Sequence, residues 1–250
     1  HGNAIAQGYN HAILPLCSPR DRVTQVRWGI ADFRHRFWRE PEGMWLPETA
    51  ADDATLETLI DHGLGYTILA PHQARAVRSL GETTWHSVDA STLDVGMPYR
   101  WMHRYGSGRS IAIFFYDGAR SRGVAFDGAL GTSQKFMDLF EHPSVREGSL
   151  VSIATDGESY GHHTHFGDRA LAHALEVEAA RRGFWVTNYG EFLERNPPTH
   201  EVVLAPGADG LGTAWSCAHG VGRWMRDCGC RTGAQDGWNQ AWRTPLRSAL

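Results

Sequence analysis

The chain has 250 residues, 42% of them hydrophobic, enough for a sizeable buried core in one large domain or two small ones. Its formal net charge of −4 and its scattered arginines give no basic stripe for nucleic acid, and no apolar run approaches a membrane span, so a soluble chain with neither partner is expected. Four cysteines at this length do not make a disulfide scaffold; they favour a reducing, cytoplasmic compartment.

Residues 1–16 pass Tyr9-Asn10-His11 and close in the apolar run Ile13-Leu14-Pro15-Leu16. Residues 21–38 place Val23, Val26, Trp28, Ile30, Phe33 and Phe37 at three- and four-residue spacings among charges, which predicts an amphipathic helix. Pro41 and Gly43 end it. The brief apolar strand Met44-Trp45-Leu46-Pro47 follows and stops at a carboxylate, Glu48.

From Asp52 or Asp53 a capped helix runs through Leu56, Leu59 and Ile60 to Gly63. Tyr66 to Ala70 reads as a buried strand broken by Pro71. Strand, helix and strand with short joins form the grammar of a right-handed parallel unit. Residues 79–109 are irregular and read as an insertion or long loop, and Ser110 to Asp117 is again a strand ending in a carboxylate.

A helix is expected over Gly131 to His142. The stretch LVSIATDGESYGHHTH over 150–165 then reads as a buried strand that ends at Asp156. The clearest helix is 168–182, stopped by Gly183; a strand from Phe184 to Thr187 and a short helix from Tyr189 to Glu194 follow. The chain begins without methionine and ends inside an apparent helix, so both ends read as cut from a longer protein.

Two carboxylates at the ends of different strands, Glu48 and Asp156, are the pair that glycoside hydrolysis needs. One attacks the anomeric carbon or activates water, and the other protonates the leaving oxygen. Each carboxylate is equally consistent with a helix cap or a partner for arginine.

Three blocks in order, Tyr9-Asn10-His11 with Ile13 to Leu16, Gly43-Met44-Trp45-Leu46-Pro47-Glu48, and Thr155-Asp156-Gly157-Glu158-Ser159-Tyr160-Gly161-His162-His163, resemble signature regions of glycoside hydrolase family 57. The resemblance implies a (β/α)7 barrel over residues 1–205, here without its first strand, followed by a Cys- and Trp-rich extension over 206–250. It implies a retaining, two-step hydrolase or transglycosylase acting on α-glucans without a cofactor. Glu48 would be the nucleophile and Asp156 the general acid and base. His11, Trp45, Glu158, Tyr160, His162 and His163 would line the sugar site.

Trp215 and Trp238 lie in aromatic- and amide-rich segments that suit sugar rings and equally suit a packed subdomain. Cys217, His219, Cys228 and Cys230 are zinc-type ligands in an unusual spacing, or reduced thiols and a histidine that shape a loop. Two other readings stay open. One is a metal-dependent polysaccharide deacetylase-like hydrolase that uses Asp156 with His162, His163 and His165. The other is an inactive glucan-binding homologue.

Overall fold

A computed structural model describes residues 1–105, 107–141, 146–230, 244, 247 and 248. Its chain divides into two compact units. The first takes residues 2–93, 99–114 and 198 onward; the second takes His1, 94–98 and 115–197. The described residues 206–230 fall in the same unit as residues 2–93.

The first unit is built on a mixed sheet of eight strands. In chain order these are β1 (Ala6–Gln7), β2 (Gly43–Trp45), β3 (Tyr66–Leu69), β4 (Ala74–Ser79), β5 (His86–Ser87), β6 (Tyr99–Met102), β7 (Ser110–Phe115) and β8 (His200–Leu204). They lie in the order β1-β2-β3-β7-β6-β8-β4-β5, and the sheet is open, with β1 and β5 at its edges. β1, β2 and β3 run parallel, with Ala6 opposite Met44 and Met44 opposite Thr67. Beyond them β6 pairs antiparallel with β7 and β4 with β8, while β6 and β8 are parallel.

Helix α1 (Pro19–Phe37) forms over the expected stretch and buries Val26, Ile30 and Phe33, whereas Trp28 and Phe37 from the same apolar spacing are exposed. Ser18 caps its first turn by accepting from the Asp21 amide at 3.2 Å, and Trp38 ends it in the left-handed region. Helix α2 (Asp53–Asp61) begins under Asp52, whose carboxylate accepts from the Thr55 amide at 2.8 Å. Leu56 and Leu59 from α2 are fully buried, as are Met44, Leu46 and Leu69 around the parallel strands. This core fixes where β2 ends.

The second unit holds α3 (Gly118–Ala125), α4 (Ser133–Asp138), α5 (Gly167–His173) and α6 (Ala179–Arg181), the last two joined through a π turn (Ala174–Glu178), and α7 (Tyr189–Arg195). Val124, Leu130, Phe136, Met137, Ala174 and Ala179 form its core, with Ile153, Tyr160 and Phe184 packed against it. A cavity of about 820 Å³ opens in this unit, lined mainly by apolar side chains such as Phe136, Phe140, Leu171 and Phe184.

Two expected strands are absent. Residues 150–156 have no strand ladder and are only half-buried up to Thr155. The reason lies in their hydrogen bonds: the Leu150 amide donates to Gly96 O, Ser152 O accepts from the Asp117 amide, and the Ala154 amide donates to Ser121 Oγ. Loops and a helix side chain thus satisfy this backbone in place of a neighbouring strand. Residues 184–187 likewise form no strand; the Phe184 amide instead closes the end of α6 on Ala179 O. Conversely, the stretch expected as a loop carries β5 and β6.

No helix among the described residues is long and apolar enough to cross a membrane.

Candidate active site

β2 delivers its chain into a single tight turn, Pro47–Thr49, and Glu48 sits at the middle of it with φ 58° and ψ 19°. Thr49 follows at φ 50°. Two consecutive side-chain-bearing residues in the left-handed region cost free energy that the surroundings must offset, a condition found disproportionately at functional sites. The surroundings here are specific.

Residues 213–217 run back alongside the turn. Ala51 and Thr213 exchange both backbone hydrogen bonds, at 2.9 and 3.0 Å, and the Trp215 amide donates to Glu48 O at 3.0 Å. One buried side chain ties the two segments together. Gln73 Nε2 donates to Thr49 O at 2.8 Å and to Thr213 O at 3.1 Å, and Gln73 Oε1 accepts from Thr49 Oγ1 at 2.7 Å and from the Ala70 amide at 2.9 Å. Gln73, Thr49 and the Ala70 backbone around them are closed to solvent.

Gly212 allows this approach. Its φ is +93°, and a Cβ there would stand 2.3 Å from Ala51 O. Only glycine accommodates both conditions.

The alignment brings two donors to one oxygen of the Glu48 carboxylate. Trp215 Nε1 and Ser216 Oγ each donate to Oε2 at 2.8 Å. Ser216 Oγ in turn accepts from Arg223 Nη1 at 3.2 Å, which leaves its own proton to point at Glu48. The Trp215 ring meets Trp45 edge-on, with centroids 5.3 Å apart. His11, itself left-handed at φ 54°, holds Nε2 3.7 Å from the other oxygen, Oε1. The Glu48 side chain remains 27% exposed. Oε2 is therefore held by two donors while Oε1 lies beside an exposed histidine.

Behind the donors, Ala50, Ala214 and Val221 form a small core with Ile13, Leu16, Trp224 and Met225 packed against it. Cys217, His219, Cys228 and Cys230 gather next to it, their donor atoms all within 4.8 Å of one another. Burial opposes ionisation of Cys230, yet hydrogen bonds from His219, from the Ala218 amide and from the neighbouring thiols bring its pKa down to about 7. Burial pushes the Cys228 thiol up.

In the second unit Asp156 is exposed and precedes a short turn, Gly157–Ser159. Thr155 Oγ1 lies 2.8 Å from the Tyr160 hydroxyl, Ser159 is buried, and His162 and His163 stack edge-on with centroids 4.9 Å apart. Glu158 and the three histidines are exposed. Among the described residues, metal-type donors gather at the Cys-His cluster and not at Asp156 with His162, His163 and His165. The apolar cavity of this unit is lined by Tyr160 but not by Asp156, Glu158 or these histidines, and its character does not suit a polyhydroxylated ligand.

The structure thus gathers His11, Trp45, Glu48 and Trp215 in one unit and holds Asp156, Glu158, Tyr160, His162 and His163 on one loop of the other. Trp238 lies outside the described residues. Ser216, Arg223, Thr49 and Gln73 were not expected as site residues. The signals available in sequence were the serine beside Trp215 and a glutamine placed where β3 breaks.

The profile of glycosyl hydrolase family 57 matches residues 3–205. The chain belongs to that family. No curated protein sequence matches it. Among solved structures, an exo-type maltose-forming amylase from Pyrococcus sp. ST04 superposes with a TM-score of 0.74 at 14% identity, covering 98% of this chain and 43% of that one. A family 57 type branching enzyme from Pyrococcus horikoshii gives 0.65 at 18% identity, covering 89% and 49%. The 4-α-glucanotransferase of Thermococcus litoralis gives 0.60 at 16%, covering 90% and 30%. At these identities the likeness establishes a shared α/β fold. The chain spans less than half the length of each of these three proteins.

If Gln73 is the peg between the Glu48 turn and residues 213–216, Gln73→Ala leaves buried donors and acceptors without partners and costs about 2–4 kcal/mol of stability. Urea unfolding of parent and variant measures this; a difference within about 0.5 kcal/mol would place Gln73 among inert positions.

Proposed function

We propose that this family 57 chain carries the catalytic part of a retaining α-glucan hydrolase or transglycosylase, with Glu48 as nucleophile and Asp156 as general acid and base. The observation that carries the reading is the setting of Glu48: a carboxylate on a strained turn at the end of a parallel strand, with Oε2 held by two donors and Oε1 beside His11. A nucleophile must present one oxygen along a fixed line, and two hydrogen bonds on the other oxygen do that without neutralising the charge.

In the first step Glu48 Oε1 bonds to the anomeric carbon, the glycosidic C–O bond breaks, and Asp156 gives its proton to the departing oxygen. The product is a glycosyl ester of Glu48. Its carbonyl oxygen is Oε2, which keeps both donors, so Trp215 and Ser216 serve before and after attack. In the second step Asp156, now a carboxylate, takes a proton from water or from a sugar hydroxyl, whose oxygen displaces Glu48 with a second inversion. A bound sugar covering the exposed Asp156 would supply the desolvation that favours its protonated form.

His11 and Trp45 flank the nucleophile, and Glu158, Tyr160, His162 and His163 share the loop of the acid; we assign both groups, with Trp215, to the sugar site. The resident compartment that fits four free cysteines is a reducing one, the cytoplasm.

The full-length protein with maltooligosaccharides tests the assignment. Asp156→Ala lowers turnover by about 10²–10⁴-fold, the usual worth of a general acid and base. Glu48→Ala lowers it at least as far. Azide separates the roles: it gives an α-glycosyl azide with Asp156→Ala, by attack on the ester, and a β-glycosyl azide with Glu48→Ala, by direct displacement. Substantial turnover in either variant, or azides of the opposite pattern, would overturn the roles.

A further inference from the structure

Residues 217–230 hold four metal-type donors that the proposed glycosidase chemistry does not use. We infer that Cys217, His219, Cys228 and Cys230 form a closed, four-coordinate zinc site. This assignment does not rest on the glycosidase reading.

The spacing of the donors carries it. Cys217 Sγ lies 3.9 Å from Cys228 Sγ and 3.8 Å from Cys230 Sγ. With Zn–S bonds of about 2.3 Å, the edge of a tetrahedron between two sulfurs is about 3.8 Å. A disulfide would bring two sulfurs to about 2.0 Å. His219 closes the fourth corner, with Nδ1 3.3 Å from Cys230 Sγ, where a tetrahedral site with an imidazole and a thiolate needs about 3.5 Å. These three pairs therefore sit close to the separations a metal imposes and too far apart for a covalent link, and all four donor atoms lie within 4.8 Å of one another, near enough to surround one ion.

The backbone is shaped to the same end. Gly229 adopts φ +78° between Cys228 and Cys230, a turn that brings both flanking sulfurs to one centre. Cys217 is buried, Cys228 and Cys230 are partly buried and His219 is exposed, so four protein donors would fill the shell from the inside of the loop to its surface. Three thiolates and one imidazole in a closed shell are the donor set of a structural zinc rather than of a hard cation or a catalytic metal with water. Binding forms three Zn–S bonds and one Zn–N bond and releases the three thiol protons to solvent. The resulting unit carries one net negative charge, and the Arg226 guanidinium lies close enough to Cys217 and Cys228 to offset it, itself held by Asp209 at 2.7 Å.

The position gives the ion a purpose. Trp215 and Ser216, the donors to Glu48, immediately precede Cys217, and Arg223, which orients Ser216, lies inside the loop the ion would close. Zinc would fix residues 217–230, which have little regular structure of their own beyond one short turn, Gly222–Trp224.

Elemental analysis of full-length protein, purified under reducing conditions without chelator, should give about one zinc per chain. Exchange for Co²⁺ should give strong visible d–d bands with thiolate-to-cobalt charge transfer. Cys228→Ser or Cys230→Ser should weaken zinc binding by at least the roughly 10–100-fold that outer-shell changes already cause, whereas Cys17→Ser should not. If the ligand variants fail to fold, the cobalt spectrum of the unaltered protein still decides. Absence of stoichiometric zinc, a weak octahedral cobalt spectrum, or thiols equally reactive before and after the metal is stripped by chelator would each overturn the site.

Discussion

The buried amide of Gln73 is the constraint on which the site depends. It bonds at once to the turn that presents Glu48, to the segment that returns at Thr213, and to the backbone where β3 ends. A glutamine side chain has two acceptor and two donor positions, and inside a core each must be matched or the group is destabilising. Here the partners are the Thr49 hydroxyl and main-chain groups of Thr49, Ala70 and Thr213, so satisfying one side chain fixes three stretches of backbone. Two left-handed residues in succession persist because that network over-determines them.

From this peg the arrangement follows outward. With residues 213 and 51 paired, Trp215 and Ser216 can only fall beside the carboxylate, and both donors reach the same oxygen. Arg223 then uses the serine lone pair, and the Cys-His cluster follows in the chain. The family match ends at residue 205, so the segment that grips Glu48 lies beyond it. Part of what orients the proposed nucleophile in this chain is therefore built from residues beyond the matched stretch.

The parts of the fold legible in sequence were those governed by local rules. Helix α1 was set by apolar spacing and a serine cap, α2 by Asp52, and β2 and β3 by short apolar runs ended by proline. Residues 150–154 looked like the same kind of strand and are not one, because an apolar run specifies burial and not the partner of its amides; here loops and Ser121 took that place. β5 and β6 escaped notice because they are short and polar-flanked; β5 pairs with its chain neighbour β4, and β6 pairs with its neighbour β7 and, at Arg100, with the distant β8. For the site, Glu48 and His11 were singled out by ordered motifs in the sequence. Ser216 and Gln73 were not, since a hydrogen bond across more than a hundred residues leaves no periodic trace in sequence.

The central claim is that Glu48 forms the bond to sugar. Full-length protein treated with a 5-fluoro-α-glycosyl fluoride, which forms the ester quickly and releases it slowly, tests this directly by peptide mass mapping. The account predicts one added fluoroglycosyl group per chain on the peptide that contains Glu48, absent when Asp156 alone is intact in Glu48→Ala. A label on Asp156 or Glu158, or turnover with no covalent label and inversion at the anomeric carbon, would contradict it.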